Sequence, residues 1–317
     1  MKEGDTYAII EMGANHVGEI AALSSLVRPA VALVNNAAAA HLAGFGSLED
    51  VVAAKAEIFS GLTPKGIAII NLDDAHAQDF LRLAAPHHCI TFGFTEQADI
   101  NAVEASISES LTGIDFSTTF TLRSSVGERT ITLPLAGKHN VRNALAAASI
   151  AFALGLSLDD IKHGLAHMTG VGGRLEIKMG CHGLRIIDDT YNANPASCKA
   201  AIDVLAGLDG PKVLVLGDMA ELGDDAKQCH EQVGKWAREA AIDALYATGE
   251  LSRQAVSSFG PGAWHFSSGE RLVAALSDAV ISNRLKKGVL LVKGSRSMQM
   301  ERVVQCLLPD STTAVTE

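Results

Sequence analysis

The chain of 317 residues has no excess of basic residues: 26 Lys and Arg stand against 36 Asp and Glu, and the formal net charge is −10. No long run of Lys or Arg occurs, which disfavours a general role at nucleic acids or membrane surfaces. The longest apolar stretch, Ala30 to Leu42, contains Asn35 and Asn36 and is too short to span a bilayer. We therefore expect no nucleic-acid partner and no membrane insertion.

Cysteine is scarce and unpatterned. The five cysteines are scattered, odd in number and without a C-x-x-C pair, so we interpret them as reduced thiols. The N-terminal sequence MKEGDTYAII lacks the apolar core of a signal peptide. These features predict a cytoplasmic protein.

A phosphate-binding loop of the G-x-x-x-x-G-K-[ST] type is also missing from the 317 residues. Gly137-Lys138 comes nearest, but His139 stands where the motif requires Ser or Thr, and the upstream glycine is absent.

The apolar content of 48% is sufficient for ordinary buried cores, and the length favours two domains. The densest glycine segment, Thr169 to Gly173, is the best linker candidate. We therefore predict a central domain at residues 1–172 and a C-terminal domain at residues 173–317. The expected class is α/β: a mostly parallel sheet with an added antiparallel portion, then a doubly wound, Rossmann-like domain.

Short apolar runs alternate with helical patterns in both halves, as in parallel sheets covered on two faces. Between residues 99 and 135, alternating apolar and polar residues instead predict antiparallel strands with one solvated face. The predicted parallel strands are Tyr7 to Glu11, Val31 to Asn35, Gly66 to Asn71, Cys89 to Gly93, Leu184 to Ile187, Val213 to Leu216, Asp243 to Ala247 and Val289 to Val292.

Three side chains near the start suggest a metal and phosphate site. Glu11 ends a predicted strand, where a hard oxygen ligand suits Mg²⁺ but a carboxylate can equally cap a helix. His41 follows the second strand and is either a ligand or a structural residue. Lys55 lies on a predicted helix from Leu48 to Ser60, capped by Ser47. It either snorkels or has a depressed pKa in a cleft and forms a carbamate with CO₂.

Polar loops follow further strands and favour a ligand-binding edge. Asn140 and Asn143 share one helix face, where amides can cap the helix or bind a purine. The three strand-exit loops of the second half are Asp188-Asp-Thr-Tyr-Asn-Ala-Asn-Pro195, Gly217-Asp-Met-Ala-Glu-Leu-Gly223 and Lys293-Gly-Ser-Arg-Ser297.

Taken together, these segments resemble the Mur ligases. The matching motifs, in order, are Glu11-Met-Gly-Ala-Asn-His, Asn36-Ala-Ala-Ala-Ala-His-Leu-Ala-Gly-Phe-Gly-Ser, Gly137-Lys-His-Asn-Val-Arg-Asn, Asp189-Thr-Tyr-Asn-Ala-Asn-Pro, Gly217-Asp-Met-Ala-Glu-Leu-Gly and Val292-Lys-Gly-Ser-Arg-Ser. The family has an N-terminal domain and a central domain that opens with a phosphate loop. The 317 residues match neither that N-terminal domain nor the phosphate loop, so the expected central domain is N-terminally incomplete.

The resemblance implies an ATP-dependent ligase of peptidoglycan precursor synthesis, hence of cell-wall biogenesis, cell shape and cell division. The reaction implied joins D-alanyl-D-alanine to UDP-N-acetylmuramoyl-tripeptide through an acyl phosphate, with ATP and Mg²⁺ as cofactors. Without the phosphate loop, we expect weak or no ligation by this chain alone, and we expect a monomer.

The same resemblance implies roles for individual residues. Glu11 would ligate one Mg²⁺, and His41 with carbamylated Lys55 would hold a second. Asn140 and Asn143 would face adenine, and Asp189 would bind the ribose hydroxyls. Arg174 would reach the phosphates, so the residues implied in catalysis are His41, Lys55 and Arg174. The residues implied toward the incoming dipeptide are Tyr191, Asn194, Asp218, Lys293, Ser295 and Arg296.

Two alternatives stay open. One is a non-catalytic remnant that binds nucleotide or a partner without turnover. The other is a related amide ligase such as folylpolyglutamate synthase, against which the Asp189 to Pro195 turn argues.

Overall fold

The computed structural model describes residues 4–37, 47–282 and 287–309. The chain divides into two compact units, each built from several segments. The first unit comprises Met1–Val103, Leu122–Arg129 and Arg142–Ile161, and the second comprises Glu104–Thr121, Thr130–Val141 and Lys162–Glu317.

The first sheet has seven strands in the order β1-β2-β3-β4-β6-β5, with β7 paired to β6. Pairing is parallel from β1 to β4 and antiparallel between β4 and β6 and between β5 and β6. The strands are β1 (Val31–Val34), β2 (Ile67–Asn71), β3 (His88–Gly93), β4 (Ile100–Ala102), β5 (Ser108–Thr112), β6 (Asp115–Ser124) and β7 (Gly127–Leu133). The predicted mixture of a parallel sheet with an antiparallel portion is confirmed.

Among the described residues, five helices belong to the part of the chain that builds this sheet: α1 (Glu19–Val27), α2 (Leu48–Ala56), α3 (Ala77–Ala84), α4 (Lys138–Ala153) and α5 (Leu158–Ala166). Ser47 caps α2 as predicted, since its hydroxyl accepts from the N–H of Asp50 at 3.1 Å. The last turn of the predicted helix tightens into a 3₁₀ turn at Glu57–Gly61. From that turn, the Glu57 carboxylate accepts from Gly18 and Ala21 at the start of α1, at 2.7 and 3.0 Å.

The second sheet has six strands in the order β12-β11-β10-β13-β9-β8, in which only β8 is antiparallel. Its strands are β8 (Glu176–Met179), β9 (Arg185–Asp189), β10 (Lys212–Leu216), β11 (Ala244–Thr248), β12 (Ala263–Phe266) and β13 (Val289–Lys293). The helices are α6 (Pro195–Ala206), α7 (Ala226–Glu239), α8 (Ser252–Phe259), α9 (Gly269–Ile281) and α10 (Glu301–Leu307).

Both faces of this second sheet are buried, because alternate side chains of one strand enter opposite cores. Leu214 and Leu216 pack with α6, α7 and α8, whereas Val213 and Val215 pack with α9 and α10. The helices that follow β10 and β13 thus lie on opposite faces. The neighbouring ends of β10 and β13 form a topological switch point, where ligands bind in open α/β sheets.

The strand predicted at Tyr7 to Glu11 is wrong. These residues pair with no described strand, and Tyr7, Ile9 and Ile10 are 61, 97 and 51% exposed. A strand needs a partner for its N–H and C=O groups, and an apolar run does not supply one. Glu11 is consequently exposed and does not lie at a strand end.

Among residues 4–37, 47–282 and 287–309, no helix combines the length and apolarity needed to cross a bilayer.

Candidate active site

Lys55 of α2 is directed to the end of β1. Its Nζ donates to the carbonyl oxygen of Asn36, two residues beyond the strand, at 2.8 Å. Burial lowers the pKa of Lys55, and the negative charge of Asp74 opposes that shift only in part. A larger share of the amine is therefore neutral, the form that reacts with CO₂.

A network of amides and carboxylates surrounds this strand end. The side-chain N–H₂ of Asn35 donates to Oδ1 of Asn143 at 3.0 Å, and that of Asn71 donates to the Asn35 carbonyl at 3.0 Å. Asp74 accepts from the N–H of Ala37 at 2.8 Å. Oδ1 of Asn35 is buried and has no hydrogen-bond partner in the described part of the chain. A buried acceptor without a donor calls for a bound water, cation or ligand N–H.

Asp73 and Arg142 continue the network at the ends of β2 and β3. The Asp73 carboxylate accepts from the N–H of Phe94 at 3.1 and 2.9 Å. Arg142 donates to Asp73 at 3.4 Å and lies over the Phe94 ring, 5.2 Å from its centroid. Our prediction missed both side chains, although Asp73 follows a predicted strand and was therefore accessible to the same reasoning.

The expected metal ligands are only partly described. His41 lies outside the described residues, and Glu11 is exposed in a segment without regular structure. Within the described ranges, no three His, Cys, Asp or Glu side chains are grouped to hold a metal ion. The unpartnered Asn35 oxygen and Lys55, as a carbamate, are hard oxygen donors of the type that Mg²⁺ prefers. These donors fit the ion without completing its site.

The two asparagines expected at adenine both lie on α4. Asn143 is exposed and bonded to Asn35, whereas Asn140 is half-buried. The side chain of Asn140 donates to the Ala136 carbonyl at 2.7 Å. The Asn140 side chain therefore also ties the start of α4 to the segment that precedes it.

Asp189 ends β9 and is 9% exposed. Its Oδ1 accepts from the N–H of Leu175 at 3.2 Å, and its Oδ2 forms an ion pair with Nζ of Lys293 at 2.5 Å. Lys293 is 2% exposed and also donates to the Asn192 carbonyl at 2.9 Å. Asp189 and Lys293 are in register on parallel strands, so their side chains share one face of the sheet.

The preceding residue, Asp188, is paired with a different lysine. Lys178 of β8 contacts Asp188 at 2.6 Å and Glu176 at 3.1 Å. Burial alone would lower the pKa of Lys178, but hydrogen bonds and charges of the two carboxylates raise it. Each carboxylate of the Asp188-Asp189 pair thus has its own ammonium partner.

Arg174 is exposed and stacks on Tyr191, with its guanidinium carbon 4.3 Å from the ring centroid. The backbone supports this contact, because the N–H of Tyr191 donates to the Gly173 carbonyl at 3.0 Å. The guanidinium of Arg174 is therefore held against Tyr191, which is predicted to face the dipeptide.

The loop after β10 is tied to the exits of β11 and β13. The Asp218 carboxylate accepts from Leu251 and Ser252 at 3.2 and 2.7 Å and so caps α8. The hydroxyl of Ser295 accepts from Ala220 at 2.6 Å. Asp218 and Ser295 therefore shape this edge through bonds within the protein.

His230 of α7 is fully buried beneath the same loop. Its Nε2 accepts from the N–H of Met219 at 2.9 Å, while Nδ1 donates to the Ala226 carbonyl at 2.6 Å. The neutral ring, with its proton on Nδ1, satisfies both contacts. The sequence did not single out His230, because one histidine in an amphipathic helix does not indicate a particular role.

The remaining predicted substrate residues differ in exposure. Asn194 caps α6 and forms a reciprocal capping box with Ser197. Arg296 is 68% exposed and contacts Glu301 at 3.2 Å. Tyr191 and Arg296 are therefore the two predicted substrate residues with exposed side chains.

A cavity of ≈ 580 Å³ lies at the exits of β11 and β12, beside the helix that Asp218 caps. Its lining includes Lys227, Arg253 and His265, together with the acidic Glu250. The volume falls within the range of about 300–1,000 Å³ that is usual for small-molecule sites. This cavity was not predicted from the sequence.

The chain matches two domain families. The Mur ligase middle domain matches residues 1–151, and the glutamate ligase domain of the Mur ligases matches residues 173–296. A UDP-N-acetylmuramoyl-tripeptide–D-alanyl-D-alanine ligase of Escherichia coli is 43% identical over 307 residues, which are 96% of this chain and 66% of the relative. The chain thus spans slightly less than two thirds of that relative's length.

Solved structures agree with this similarity. A crystal structure of MurF from Acinetobacter baumannii superposes with a TM-score of 0.89 at 36% identity, covering 97% of this chain and 66% of that one. MurF from Thermotoga maritima, in complex with ADP, gives a TM-score of 0.77 at 26% identity over 92% of this chain and 64% of that one.

Proposed function

The chain belongs to the Mur ligase family, and from this premise we propose that it serves the ATP-dependent joining of D-alanyl-D-alanine to UDP-N-acetylmuramoyl-tripeptide in peptidoglycan precursor synthesis. The E. coli relative carries the name of that ligase. The structural observation that carries the proposal is Lys55, half-buried with a lowered pKa and directed to the end of β1.

The reaction proceeds in two displacements. The tripeptide carboxylate attacks the γ-phosphorus of ATP, which forms an acyl phosphate and releases ADP. The free amine of the dipeptide then attacks the acyl carbon, which forms the amide and expels phosphate, while the amine proton passes to a base or to water. Each displacement moves negative charge onto phosphate oxygens, so catalysis depends on positioned cations and N–H donors.

The nucleotide contacts proposed are Asn140 and Asn143 at adenine and Asp189 at the ribose. Arg174 would neutralise charge at the phosphates. Its stacking on Tyr191 supports this role, because a guanidinium held in place loses less entropy when it binds an anion. The ADP complex of the Thermotoga maritima protein supports a nucleotide site in this fold.

Mg²⁺, when bound, would neutralise phosphate charge and align the reacting oxygens. Glu11, His41 and carbamylated Lys55 are the proposed ligands. Carbamylation joins the neutral amine of Lys55 to CO₂ and releases one proton, which leaves an anion; the ammonium form must first release a further proton. The lowered pKa of Lys55 favours this conversion.

The incoming dipeptide would meet Tyr191 and Arg296 directly. Asn194, Asp218 and Ser295 would act by shaping the loops that carry these residues. The domain boundary between residues 172 and 173, the cytoplasmic location and the monomeric state stay predictions.

The test measures ADP formation that requires both UDP-N-acetylmuramoyl-tripeptide and D-alanyl-D-alanine. Because the 317 residues contain no phosphate loop, we expect a weak rate from the chain alone. A robust rate is expected after fusion to the part of the E. coli relative that it does not span. Lys55→Met should abolish the rate, whereas Lys65→Met, at an exposed lysine, should not. ADP formation in the fusion with glutamate in place of the dipeptide would contradict the proposal.

A further inference from the structure

Lys293 is too deeply buried to serve as a substrate contact. Only 2% of its surface is exposed, and its ammonium is bonded to the Asp189 carboxylate and to the Asn192 carbonyl. A dipeptide could reach Nζ only after these bonds were broken. The role expected for Lys293 from the sequence therefore does not match its surroundings.

Asp189 is held from two sides. Leu175 N–H contacts Oδ1 and Lys293 Nζ contacts Oδ2, so neither oxygen can rotate without losing a bond. An ionised carboxylate offers about four acceptor positions, and these two contacts leave some of them unused. The carboxylate can thus stay fixed and still accept hydroxyl groups.

We propose that Lys293 is a positioning residue for Asp189: it orients the carboxylate that accepts the ribose hydroxyls, and it does not bind the dipeptide. This inference rests on the proposed nucleotide site. It assigns nucleotide selection to a pair of side chains 104 residues apart in sequence, joined by the in-register pairing of β9 and β13.

The neighbouring pair provides a matched control. Lys178 of β8 forms an ion pair at 2.6 Å with Asp188, which precedes Asp189 on β9 but is not the proposed ribose ligand. Replacing Lys178 by Met removes one ammonium from the buried Asp188 carboxylate, as Lys293→Met does from Asp189, and also from Glu176. Any difference between the two variants therefore reports on Asp189 rather than on the loss of an ion pair as such.

The experiment compares the dissociation constants of ADP and 2′,3′-dideoxy-ADP by isothermal titration calorimetry in the presence of Mg²⁺. Hydrogen bonds from two hydroxyls to a carboxylate should make ADP bind roughly tenfold more tightly than the dideoxy compound in the wild-type chain. We expect this ratio to fall to about one to threefold in Lys293→Met and in Asp189→Asn. It should stay at the wild-type value in Lys178→Met.

If Lys293→Met lowers the melting temperature but leaves the ratio of the two dissociation constants unchanged, the ion pair of Lys293 only stabilises the fold and the proposal is refuted. If Lys293→Met instead weakens the dependence of ADP formation on D-alanyl-D-alanine in the fusion, again with an unchanged ratio, Lys293 binds the dipeptide and the proposal is refuted. If Lys293→Met does not fold, the near-isosteric Asp189→Asn carries the test, and an unchanged ratio there refutes the proposal because the Asp189 carboxylate would then not select the ribose hydroxyls. A wild-type chain that binds neither nucleotide would refute the nucleotide site itself and this inference with it.

Discussion

Gly234 allows two helices of the second unit to pack closely. It lies in α7, and a Cβ placed on it would be 2.2 Å from the Ala255 carbonyl oxygen and 2.3 Å from Oγ of Ser258, both in α8. Such contacts do not occur in proteins below 3.0 Å. The serine hydroxyl can rotate away, but the carbonyl oxygen belongs to the backbone. In Gly234→Ala, α8 must therefore shift as a body.

The size of the effect follows from two opposing terms. Alanine is favoured over glycine by about 1 kcal/mol inside a helix. Forcing extra volume into a packed contact typically costs about 1–3 kcal/mol, and more where backbone has to move. Here the oxygen must recede by 0.8 Å, the difference between 3.0 and 2.2 Å, which favours the upper part of that range. We expect Gly234→Ala to lower the free energy of unfolding by about 2 kcal/mol.

Urea unfolding followed by circular dichroism gives the measurement, and Gly164→Ala is the matched control. Gly164 lies in α5 of the same unit, and a Cβ there would meet nothing within 4 Å. The control should therefore gain up to about 1 kcal/mol from helix propensity alone. Equal gains in the two variants would show that α7 and α8 are not in the contact described, and the reasoning would fail.

Two further predictions concern the side chains around the strand exits. His230→Ala leaves the Met219 N–H and the Ala226 carbonyl without partners and should cost about 3 kcal/mol in urea unfolding, with part of it restored in His230→Gln; a loss below about 1 kcal/mol would contradict this. For Lys55, the folded-state pKa lies below the ordinary value of 10.5. The folded chain therefore binds fewer protons than the unfolded chain between those two pKa values, and its stability rises with pH across that window. Lys55→Met should lack this rise as the pH approaches 10.5 from below, and an identical slope in both proteins would exclude the lowered pKa.

Much of the fold was accessible from the sequence because buried parallel strands leave a strong local signal. The strands at Val31–Val34, Ile67–Asn71, Lys212–Leu216 and Val289–Lys293 were each predicted to within one residue. Continuous Val, Ile and Leu runs of this length are typical of strands in a sheet that is covered on both faces. Capping was equally local, as Ser47 shows.

The failure at Tyr7 to Glu11 has the same origin. The run is as apolar as the strands that were predicted correctly, but strand formation is decided by a pairing partner, and composition does not report one. Missed elements such as β8 and β12 are short, with side chains that are mostly only half-buried. Their pattern carries little periodicity from which to predict them.

The roles of the site residues depend on contacts that a local sequence pattern does not reveal. Lys55, Lys178 and Lys293 are the same residue type, and each lies beside apolar residues in the sequence. Burial lowers the pKa of Lys55 more than the charge of Asp74 raises it, and two carboxylates raise the pKa of Lys178. Lys293 is buried against Asp189. These differences arise from partners as far as 104 residues away. A strand-exit motif therefore predicts that a polar side chain stands at the edge of a sheet. Whether that side chain binds a ligand, or orients another that does, is decided by the neighbouring strand.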